Sequence, residues 1–424
     1  MTLDKALNSL LQKPTIKRWV IALSGGLDSI VLLDLAAKYR GKIHLTALHI
    51  NHNQQPEAIQ WAHFCERQCS ARGIAYHTRE VMPDSGSEAC LRDARYAAFE
   101  SFLVPGDCLL LGHHADDQAE TVLFRLLRAA GSKGLSGMPV ARDLGCAELF
   151  RPLLDFPRER LEGYAKTQAL DWVEDPSNQS SRYARNYLRH QVLAPLKEQW
   201  PDVATQISTS AKVLSAERFL LNEFLDEQLA HCAPLGQLVL AQLEGFSDER
   251  RAALFRHWLH WRSGQEISRA LLERLWEQVA CARQSSIPSY DLKQFTLYRY
   301  RGELFLAAKL PVKAPWPVLD GSPCSIKLAQ GELSVSVADE GVDWREGMYL
   351  ACADLTLKVA LTGRREKTLK QVFKEAGIPP WWRSAWPVLF CGAEVVAIPS
   401  VGVVDKWREG GQKKHYMALQ WRAF

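Results

Sequence analysis

The chain lacks the sequence features of membrane proteins, of secreted proteins and of thiolate metal sites. None of its apolar stretches is long enough to cross a bilayer. Residues 1–18 contain no apolar centre followed by small residues, which a signal peptide would need. The ten cysteines are scattered, and no two of them form a C-x-x-C pair. We therefore expect a cytoplasmic protein that has no membrane partner and binds no metal through cysteine.

The charges nearly cancel, and no segment is repetitive. The 52 basic and 48 acidic residues give a formal net charge of +4, which alone does not indicate a nucleic-acid partner. The composition is 47% hydrophobic and 24% charged, with no internal repeat and no low-complexity segment. A globular chain of 424 residues is too long for one compact core. We therefore expect two or three domains.

A small polar turn lies between two apolar runs near the N-terminus. The run 19–23 has the length of a buried strand, and the apolar residues of 30–37 recur at helical spacing. The turn consists of Ser24, Gly25, Gly26, Leu27, Asp28 and Ser29. Backbone N–H groups and the positive end of a helix dipole converge at such a junction, where glycines let phosphate oxygens approach. The turn lacks the lysine of a P-loop and the spacing of G-x-G-x-x-G, but it predicts a polyphosphate site.

Strands and helices alternate through the first half of the chain. The predicted strands are 19–23, 43–50, 74–81 and 108–112, and the predicted helices lie at 30–37, around 59–64, at 88–103 and at 116–128. The strands do not alternate strictly between apolar and polar residues, which favours an α/β fold with a mostly parallel sheet and helices on both faces. Ligands bind at the carboxyl ends of the strands in such folds. The segments 24–29, 49–53 and 112–117 should therefore meet at one edge.

The second half of the chain has a different character. Residues 205–232 and 248–283 have the periodicity of amphipathic helices, and 295–307 resemble a hairpin. Four prolines within 311–323 indicate a linker, and short strands are predicted at 355–361, 388–391, 395–398 and 416–421. We therefore predict a catalytic domain over 1–204, a mainly helical domain over 205–310 and a small α+β domain over 320–424.

The sequence GHHADDQAET at 112–121 begins the fourth predicted helix. Asp117 and Glu120 are three residues apart and share one helix face, which suits the binding of an ammonium group or Mg²⁺. The alternative is that the acidic residues only stabilise a helix N-terminus. His113 and His114 would need a third ligand at a recognisable spacing to form a zinc site, and the sequence offers none.

A series of motifs, in this order, resembles those of tRNA(Ile)-lysidine synthetases, which belong to the N-type ATP pyrophosphatase (PP-loop) family. They are SGGLDS at 24–29, HINHN at 49–53, RDARY at 92–96, GHHADDQAET at 112–121, GLSGM at 134–138, RPLL at 151–154, EDPSN at 174–178 and YARN at 183–186. GRREKTLK at 363–370 and GIPPW at 377–381 are similar to the C-terminal RNA-binding domain of the longer members. Asn53 departs from the usual glycine at its position, but asparagine tolerates left-handed backbone better than most residues.

The resemblance implies lysidine formation at the wobble cytidine of an isoleucine tRNA with a CAU anticodon, which changes that tRNA from methionine to isoleucine specificity. ATP would adenylate the oxygen on carbon 2 of cytosine and release pyrophosphate. The ε-amine of free L-lysine would then displace AMP. The loop 24–29 would bind the pyrophosphate, with His49 and His52 as further ATP-binding residues and Asp28 as a catalytic contact to Mg²⁺.

Lysine arrives as an ammonium ion and must lose a proton before its amine can attack. The resemblance makes Asp117 and Glu120 the expected lysine-binding and catalytic residues. Arg92 and Arg95 would hold phosphate or cytosine, and Arg185 and Arg189 would hold tRNA or the lysine carboxylate. A surface ion pair is the ordinary alternative for any one arginine.

The last domain combines basic and aromatic residues in a way that suits phosphate contact and base stacking. The basic residues are Arg364, Arg365, Lys367 and Lys370, and Trp381 and Trp382 follow them. Core positions are the alternative for the two tryptophans.

Three other functions are compatible with parts of this pattern. An ATP-dependent tRNA thiolase of the same fold would usually carry C-x-x-C pairs or a dedicated catalytic cysteine, and none is evident. An ammonia-using ligase would not need the basic C-terminal domain. A non-catalytic RNA-binding protein would not need the carboxylates and glycines. The sequence leaves a homodimer open.

Overall fold

The computed structural model describes residues 2–51, 58–82, 88–174, 184–283, 287–309, 316, 319, 322–328, 331–338, 341–352, 354–409 and 416–423. The chain divides into two compact units, Met1–Asn222 and Glu223–Phe424. The predicted turn around His52 and most of the predicted linker lie outside the described residues. The three-domain division stays a prediction. No helix in the described ranges combines the length and the apolar character needed to cross a membrane.

Strands and helices alternate in the first unit, as the sequence predicts. The strands are β1 (Arg18–Ala22), β2 (His44–Asn51), β3 (Ala75–Glu80), β4 (Asp107–Leu110), β5 (Ala141–Leu144) and β6 (Ala147–Phe150). The helices are α1 (Asn8–Leu11), α2 (Leu27–Ala37), α3 (Ala58–Ala71), α4 (Glu88–Phe102), α5 (Ala115–Leu126), α6 (Ser132–Leu135), α7 (Arg158–Thr167), α8 (Ala184–Tyr187) and α9 (Ala194–Gln199). There is also a 3₁₀ helix at Leu3–Lys5 and a π-helix at Leu188–Leu193, and α10 (Val203–Cys232) contains the boundary between the units.

One six-stranded sheet organises this unit, in the order β3-β2-β1-β4-β6-β5. All neighbouring pairs are parallel except β5 and β6. Trp19 and Ile21 of β1 pack into a core that includes residues of α2, α3 and α7, whereas Val20 packs into a second core with Phe99 of α4. Successive strand residues point to opposite faces, so the central strands are apolar throughout. The prediction of helices on both faces of a mostly parallel sheet is confirmed.

The second unit begins with helices packed on a small antiparallel sheet. Its strands β7 (Leu238–Val239), β8 (Ser289–Asp291), β9 (Phe295–Tyr300) and β10 (Glu303–Ala308) pair in the order β7-β10-β9-β8. The helices are α11 (Asp248–Ser263) and α12 (Arg269–Leu275), with a 3₁₀ helix at Leu240–Leu243 and a π-helix at Trp276–Ala280. Trp258 is fully buried, and its indole N–H donates to the backbone oxygen of Gly236 at 2.9 Å. The predicted hairpin is β9 and β10.

The remainder of the second unit is rich in short strands. They are β11 (Cys324–Leu328), β12 (Gly331–Ala338), β13 (Gly341–Val342), β14 (Met348–Cys352), β15 (Lys358–Val359), β16 (Lys367–Thr368), β17 (Pro387–Cys391), β18 (Glu394–Ile398), β19 (Gly402–Val403), β20 (Arg408–Glu409) and β21 (Tyr416–Ala423). Three sheets result, ordered β11-β12-β21-β13-β20, β14-β17-β18-β19 and β15-β16. The helices are α13 (Leu369–Glu375) and α14 (Pro380–Arg383), with a 3₁₀ helix at Asp405–Trp407.

Several strands were not predicted from the sequence, and for the edge strand β5 the reason is a weak apolar pattern. The edge strand β5 has exposed residues at Ala141, Arg142 and Asp143, and only Leu144 is buried. The hairpin of β5 and β6, the strand β8 and the strands from β11 to β14 were all missing from the sequence prediction. The strand predicted at 355–361 shortens to the two residues of β15.

We predict that Asp107→Ala destabilises the first unit by about 2 to 4 kcal/mol. The Asp107 carboxylate is almost fully buried, accepts two hydrogen bonds from Arg18 at 2.8 and 2.5 Å, and accepts the backbone N–H of Val104 at 2.9 Å. Its removal leaves these donors without an acceptor. Asp4→Ala is the matched control, because Asp4 pairs with Lys38 at the surface and its loss should cost less than about 1 kcal/mol. Urea unfolding followed by circular dichroism measures both, and equal effects would contradict the prediction.

Candidate active site

The loop between β1 and α2 is held by the side chain of Ser29. The Oγ atom of Ser29 accepts the backbone N–H groups of Ser24 at 3.2 Å and of Gly25 at 3.1 Å, and donates to the backbone oxygen of Gly26 at 2.9 Å. The N–H groups in the first turn of α2 have no partner within the helix. The predicted residues Ser24, Gly25, Gly26, Leu27, Asp28 and Ser29 thus form one compact turn at a helix N-terminus, which is an arrangement that binds anions.

Two glycines allow the loop its close contacts. Gly25 has a φ of +88°, and a Cβ atom there would lie 3.1 Å from Sγ of Cys65. A Cβ atom on Gly112, which follows β4, would lie 3.0 Å from the backbone oxygen of Asp28. The absence of a side chain at Gly25 therefore lets the loop lie against α3, and its absence at Gly112 lets the end of β4 contact the start of α2. The contact at Gly112 brings the motif SGGLDS at 24–29 and the motif GHHADDQAET at 112–121 together.

His114 lies among three carboxylates at the meeting point of these motifs. Its Nε2 atom is 3.5 Å from Oδ2 of Asp28 and 3.4 Å from Oδ2 of Asp117, and its Nδ1 atom is 3.6 Å from Oδ2 of Asp116. The ring is 1% exposed. Burial alone would lower the pKa of His114, but Asp117, Asp116 and Asp28 outweigh that effect and raise it to about 10.

His114 also caps α5. The backbone N–H of Asp117 points to Nδ1 of His114 at 3.4 Å, while Oδ2 of Asp117 accepts the backbone N–H of His114 at 3.1 Å. The contact of the Asp117 N–H with Nδ1 would suit a neutral ring, in which Nδ1 can accept a hydrogen bond. Because this contact is long and the three carboxylates lie close to the ring, the imidazolium form is favoured.

Asp28 is the acidic residue of the loop 24–29. Burial alone would raise the pKa of Asp28, but His114, Arg158 and Arg189 hold it below its ordinary value. Oδ2 of Asp28 lies 3.7 Å from Nη1 of Arg158. Oδ1 is buried and has no hydrogen-bond partner in the described part of the chain. An ionised carboxylate with one unused buried oxygen is a candidate ligand for a cation.

Asp116 is paired within the protein. It accepts a hydrogen bond from Lys197 and one from the backbone N–H of Arg158 at 2.8 Å. Burial alone would raise the pKa of Asp116, but His114, Lys197 and this backbone N–H lower it well below the usual range. Asp116 therefore holds its charge and joins α5 to α7 and α9.

The predicted pair Asp117 and Glu120 shares one arginine. Arg189 donates from Nε to Oε1 of Glu120 at 2.5 Å and from Nη2 to Oδ1 of Asp117 at 3.2 Å. Burial raises the pKa of Glu120, and the charge of Asp117 acts in the same direction against the opposing effect of Arg189. Arg185 donates to Oγ1 of Thr121 at 2.9 Å, one residue further along α5. The tertiary structure brings Asp117, Glu120, Arg185 and Arg189 together.

The two remaining ATP-binding predictions have different outcomes. His49 is buried, and its Nδ1 atom lies 2.8 Å from the backbone oxygen of Leu23, directly before the loop. Burial lowers the pKa of His49 against the effect of this hydrogen bond, so the neutral ring is favoured. His52 lies outside the described residues.

Arg92 and Arg95 lie in a separate basic region on α4. The guanidinium carbon of Arg92 is 5.0 Å from the ring centroid of Tyr96. Arg151 donates to Nδ1 of His113 at 3.2 Å and lies 3.5 Å from the Tyr96 hydroxyl. Burial, together with Arg151, Arg95 and Arg185, lowers the pKa of His113 to about 3 against the opposing effect of Asp117, so His113 is neutral.

The basic residues predicted in the last domain belong to the second unit. Arg364, Arg365 and Lys370 are exposed, and Lys367 pairs with Glu375 at 2.6 Å. Trp381 stacks on Tyr298 with ring centroids 3.9 Å apart, and Trp382 meets the edge of Phe305. Both tryptophans therefore pack against aromatic rings of the second unit. Core packing, the alternative interpretation, is therefore the one that fits Trp381.

Sequence reasoning missed several charged members of the site. Arg158 and Lys197 carry no local signal, because each reaches the acidic cluster from a distant helix. Arg151 belongs to the RPLL motif, but its buried position was not predicted. His113 and His114 were considered only as zinc ligands, and among the described residues no three His, Cys, Asp or Glu side chains are arranged so that they could hold a metal ion together.

The sheet and the loop at its edge define a PP-loop ATP-binding protein, and residues 1–196 match the family model described as the PP-loop domain. Residues 238–305 match the TilS substrate binding domain, and residues 356–421 match the TilS substrate C-terminal domain. The three matches follow the order of the sheet and the two parts of the second unit.

Curated relatives match almost the whole chain. A tRNA(Ile)-lysidine synthase of Enterobacter sp. (strain 638) is 36% identical, covering 96% of this chain and 97% of the relative. The enzyme of the same name from Alkalilimnicola ehrlichii is 38% identical, covering 92% and 91%. The chain therefore belongs to the tRNA(Ile)-lysidine synthase family. A solved U34-tRNA thiolase from Methanococcus maripaludis is similar at 18% identity and a TM-score of 0.42, over 50% of this chain and 78% of the thiolase, a likeness too weak to bear on activity.

We predict that Ser29→Ala weakens ATP binding about tenfold or more while the protein stays folded. The Ser29 hydroxyl orders the loop through hydrogen bonds each worth about 0.5 to 1.5 kcal/mol. Isothermal titration with ATP measures the effect. Ser101→Ala is the control, because Ser101 is exposed on α4 and donates only to the backbone of its own helix. Unchanged ATP affinity in the Ser29 variant would contradict this account of the loop.

We predict that the stability of the first unit falls as the pH rises from about 6.5 to about 10. The pKa of His114 is about 10 in the folded protein and near 6.5 when unfolded, so the stabilisation is complete below pH 6.5 and is lost through the folded pKa. The slope for one proton is at most about 1.4 kcal/mol per pH unit. Urea unfolding at pH 6 to 10 measures it, and His114→Asn should flatten the profile. Parallel profiles for the two proteins would contradict the assignment.

Proposed function

We propose that this protein ligates free L-lysine to carbon 2 of the wobble cytidine of tRNA(Ile) with a CAU anticodon, using ATP and releasing pyrophosphate and AMP. Two lines of evidence support this function. Relatives named tRNA(Ile)-lysidine synthase match over nine-tenths of the chain. The observation that carries the proposal is the contact of the loop 24–29, through Asp28 and His114, with Asp117, which shares Arg189 with Glu120.

The loop 24–29 is the proposed site of the ATP phosphates. Its backbone N–H groups and the N-terminus of α2 would stabilise the negative charge that develops as pyrophosphate leaves. His49 is proposed to line the nucleotide site in its neutral form. The contact of this loop with Gly112 places the α5 motif beside it.

Asp28 is the proposed contact to Mg²⁺. Its carboxylate is ionised and offers the buried Oδ1 atom, which lacks a hydrogen-bond partner in the described ranges. Mg²⁺ bound with ATP is usually held by one or two carboxylates together with phosphates and water, so one protein carboxylate suffices. The ion would neutralise the charge of the phosphates.

The acidic pair is the proposed site of the lysine ammonium group. Asp117 and Glu120 share the guanidinium group of Arg189, whose nitrogen atoms lie 3.2 and 2.5 Å from the two carboxylates. We assign recognition of the lysine ammonium group to these two carboxylates. Arg189 also offers a guanidinium group to the lysine carboxylate. The raised pKa of Glu120 suits it to accept the proton that the ammonium group must lose.

The tRNA is proposed to contact basic residues in both units. Arg92, Arg95 and Arg185 are the candidates in the first unit. The candidates in the second unit are Arg364, Arg365, Lys367 and Lys370. The division into a catalytic domain over 1–204, a middle domain over 205–310 and a tRNA-binding domain over 320–424 is part of this proposal, and a homodimer stays a prediction.

No observation favours the thiolase alternative. Burial raises the pKa of the thiols of Cys65, Cys69 and Cys108 to about 12, which leaves them without thiolate character at neutral pH. None of the ten cysteines forms a disulfide.

The test of the function uses ATP labelled in the α-phosphate and an isoleucine tRNA transcript with a CAU anticodon. We expect AMP release to require both tRNA and lysine, with lysine found covalently attached to the wobble cytidine. AMP formed without tRNA, or sulfur or ammonia replacing lysine, would assign the chain to another reaction of the same fold.

The lysine site is tested by Glu120→Gln. We expect the KM for lysine to rise at least tenfold, because a charged contact to the ammonium group and the proton acceptor are both lost, while labelled adenylate still forms on the tRNA. Glu148→Gln is the matched control, since Glu148 forms an ion pair with Lys13 at 2.5 Å and lies opposite Cys108 near the start of β4, away from the acidic pair. An unchanged KM for lysine, or a loss of the adenylation step, would contradict the assignment.

A further inference from the structure

Tyr96 lies within a group of arginines on the side of the sheet that α4 covers. The guanidinium carbons of Arg92 and Arg142 are 5.0 and 5.2 Å from the centroid of its ring. Nη2 of Arg151 lies 3.5 Å from its hydroxyl oxygen. Three cations therefore surround one phenol.

These arginines have no counter-ion in the described part of the chain. Arg151 is 2% exposed, and its contacts are the neutral His113, the Tyr96 hydroxyl and the backbone oxygen of Pro139 at 2.8 Å. None of Arg92, Arg125, Arg142 and Arg151 forms an ion pair with a described carboxylate. Buried charge without a partner is costly, so such a group is typical of a site completed by an anion.

The electrostatic effects of the arginines overlap at this place. Burial alone would raise the pKa of Tyr96, but Arg92, Arg151, Arg95 and Arg142 lower it. Burial, Arg92 and Arg185 lower the pKa of Arg125. Each group thus experiences several positive charges at once, which supports one continuous basic region.

The exposure of the four arginines decreases from the surface inwards. Arg142 is exposed on the edge strand β5, Arg92 and Arg125 are half-buried on α4 and α5, and Arg151 is buried after β6. The two inner arginines, Arg125 and Arg151, also hold the segment that runs from α6 to β5, Arg151 through the backbone oxygen of Pro139. Arg125 donates to the backbone oxygens of Gly134 at 2.9 Å and Gly137 at 2.7 Å.

We propose that Arg92 and Arg142, with Arg125 and Arg151 behind them, bind adjacent phosphates of the sugar-phosphate backbone of the RNA substrate around Tyr96. This proposal rests on the function proposed above. The ATP phosphates have their own site at the α2 N-terminus, whereas this group extends over three surface elements and suits a polyanion of greater length. A guanidinium group matches two phosphate oxygens in one plane.

The experiment measures binding of the tRNA(Ile) transcript over a range of KCl concentrations by fluorescence anisotropy, with ATP binding measured separately. For Arg92→Gln and for Arg142→Gln, we expect the slope of log K against log salt to become less negative by about 0.7 to 0.9, one phosphate contact each. Affinity for the transcript should fall about three- to tenfold at 0.1 M KCl, and affinity for ATP should not change.

Arg160→Gln is the matched control. Arg160 is also an arginine over an aromatic ring, 5.4 Å from the centroid of Phe156, but it lies on α7, which packs on the opposite face of the sheet. Its variant should keep the salt slope of the unmodified protein. Arg151→Lys is a further variant, at an inner arginine, that retains the positive charge. It should keep most of the salt slope, and circular dichroism verifies that it folds.

Two outcomes would overturn the proposal. The salt slope could stay unchanged in both surface variants, or the variants could lose affinity for ATP while the RNA slope stays the same, which would assign the arginines to the nucleotide. The binding assay does not depend on lysidine formation. A failure of the unmodified protein to attach lysine would therefore count against the proposed function and not against this RNA contact.

Discussion

The helices α2 and α5 each follow a strand of the parallel sheet and begin next to each other. The buried, charged side chain of His114 connects their first turns. Asp28 belongs to α2, while Asp116 and Asp117 belong to α5, and all three carboxylates lie within 3.6 Å of the His114 ring. None of these charges is stable in the interior by itself, because burial disfavours each ionised form. The loop 24–29 and the α5 motif are thus mutually dependent, and the missing Cβ atom of Gly112 permits their contact.

The first unit separates charge into an acidic region and a basic region, and two adjacent histidines lie at the boundary between them. The pKa of His114 is raised to about 10 by carboxylates, whereas the pKa of His113 is lowered to about 3 by burial and arginines. Identical side chains next to each other therefore carry different charges. This separation matches the proposed substrates, since lysine contributes an ammonium group and the RNA contributes phosphates.

The local sequence was enough to predict much of the fold but only part of the candidate site. Apolar runs such as that of β1 identify central strands because those strands are buried on both faces, and the spacing of Asp117 and Glu120 follows from helical geometry. The edge strand β5 has no such pattern, since most of its side chains are exposed. Lys197 and Arg158 could not be assigned, because a charge partner in a distant helix leaves no mark on the neighbouring sequence.

By itself, the sequence determined the first four strands and the helices that follow them, the turn at 24–29 between β1 and α2 and the shared helix face of Asp117 and Glu120, because hydrophobic periodicity, glycine and i,i+3 spacing act over short distances. The tertiary structure alone decided which groups are charged. Asp28 is ionised and His114 is protonated because segments far apart in the chain place these opposite charges next to each other, which outweighs their burial, and the same packing leaves Arg151 without a counter-ion in the described residues. A pKa depends on every charge within a few ångströms and on burial, and both are properties of the folded chain.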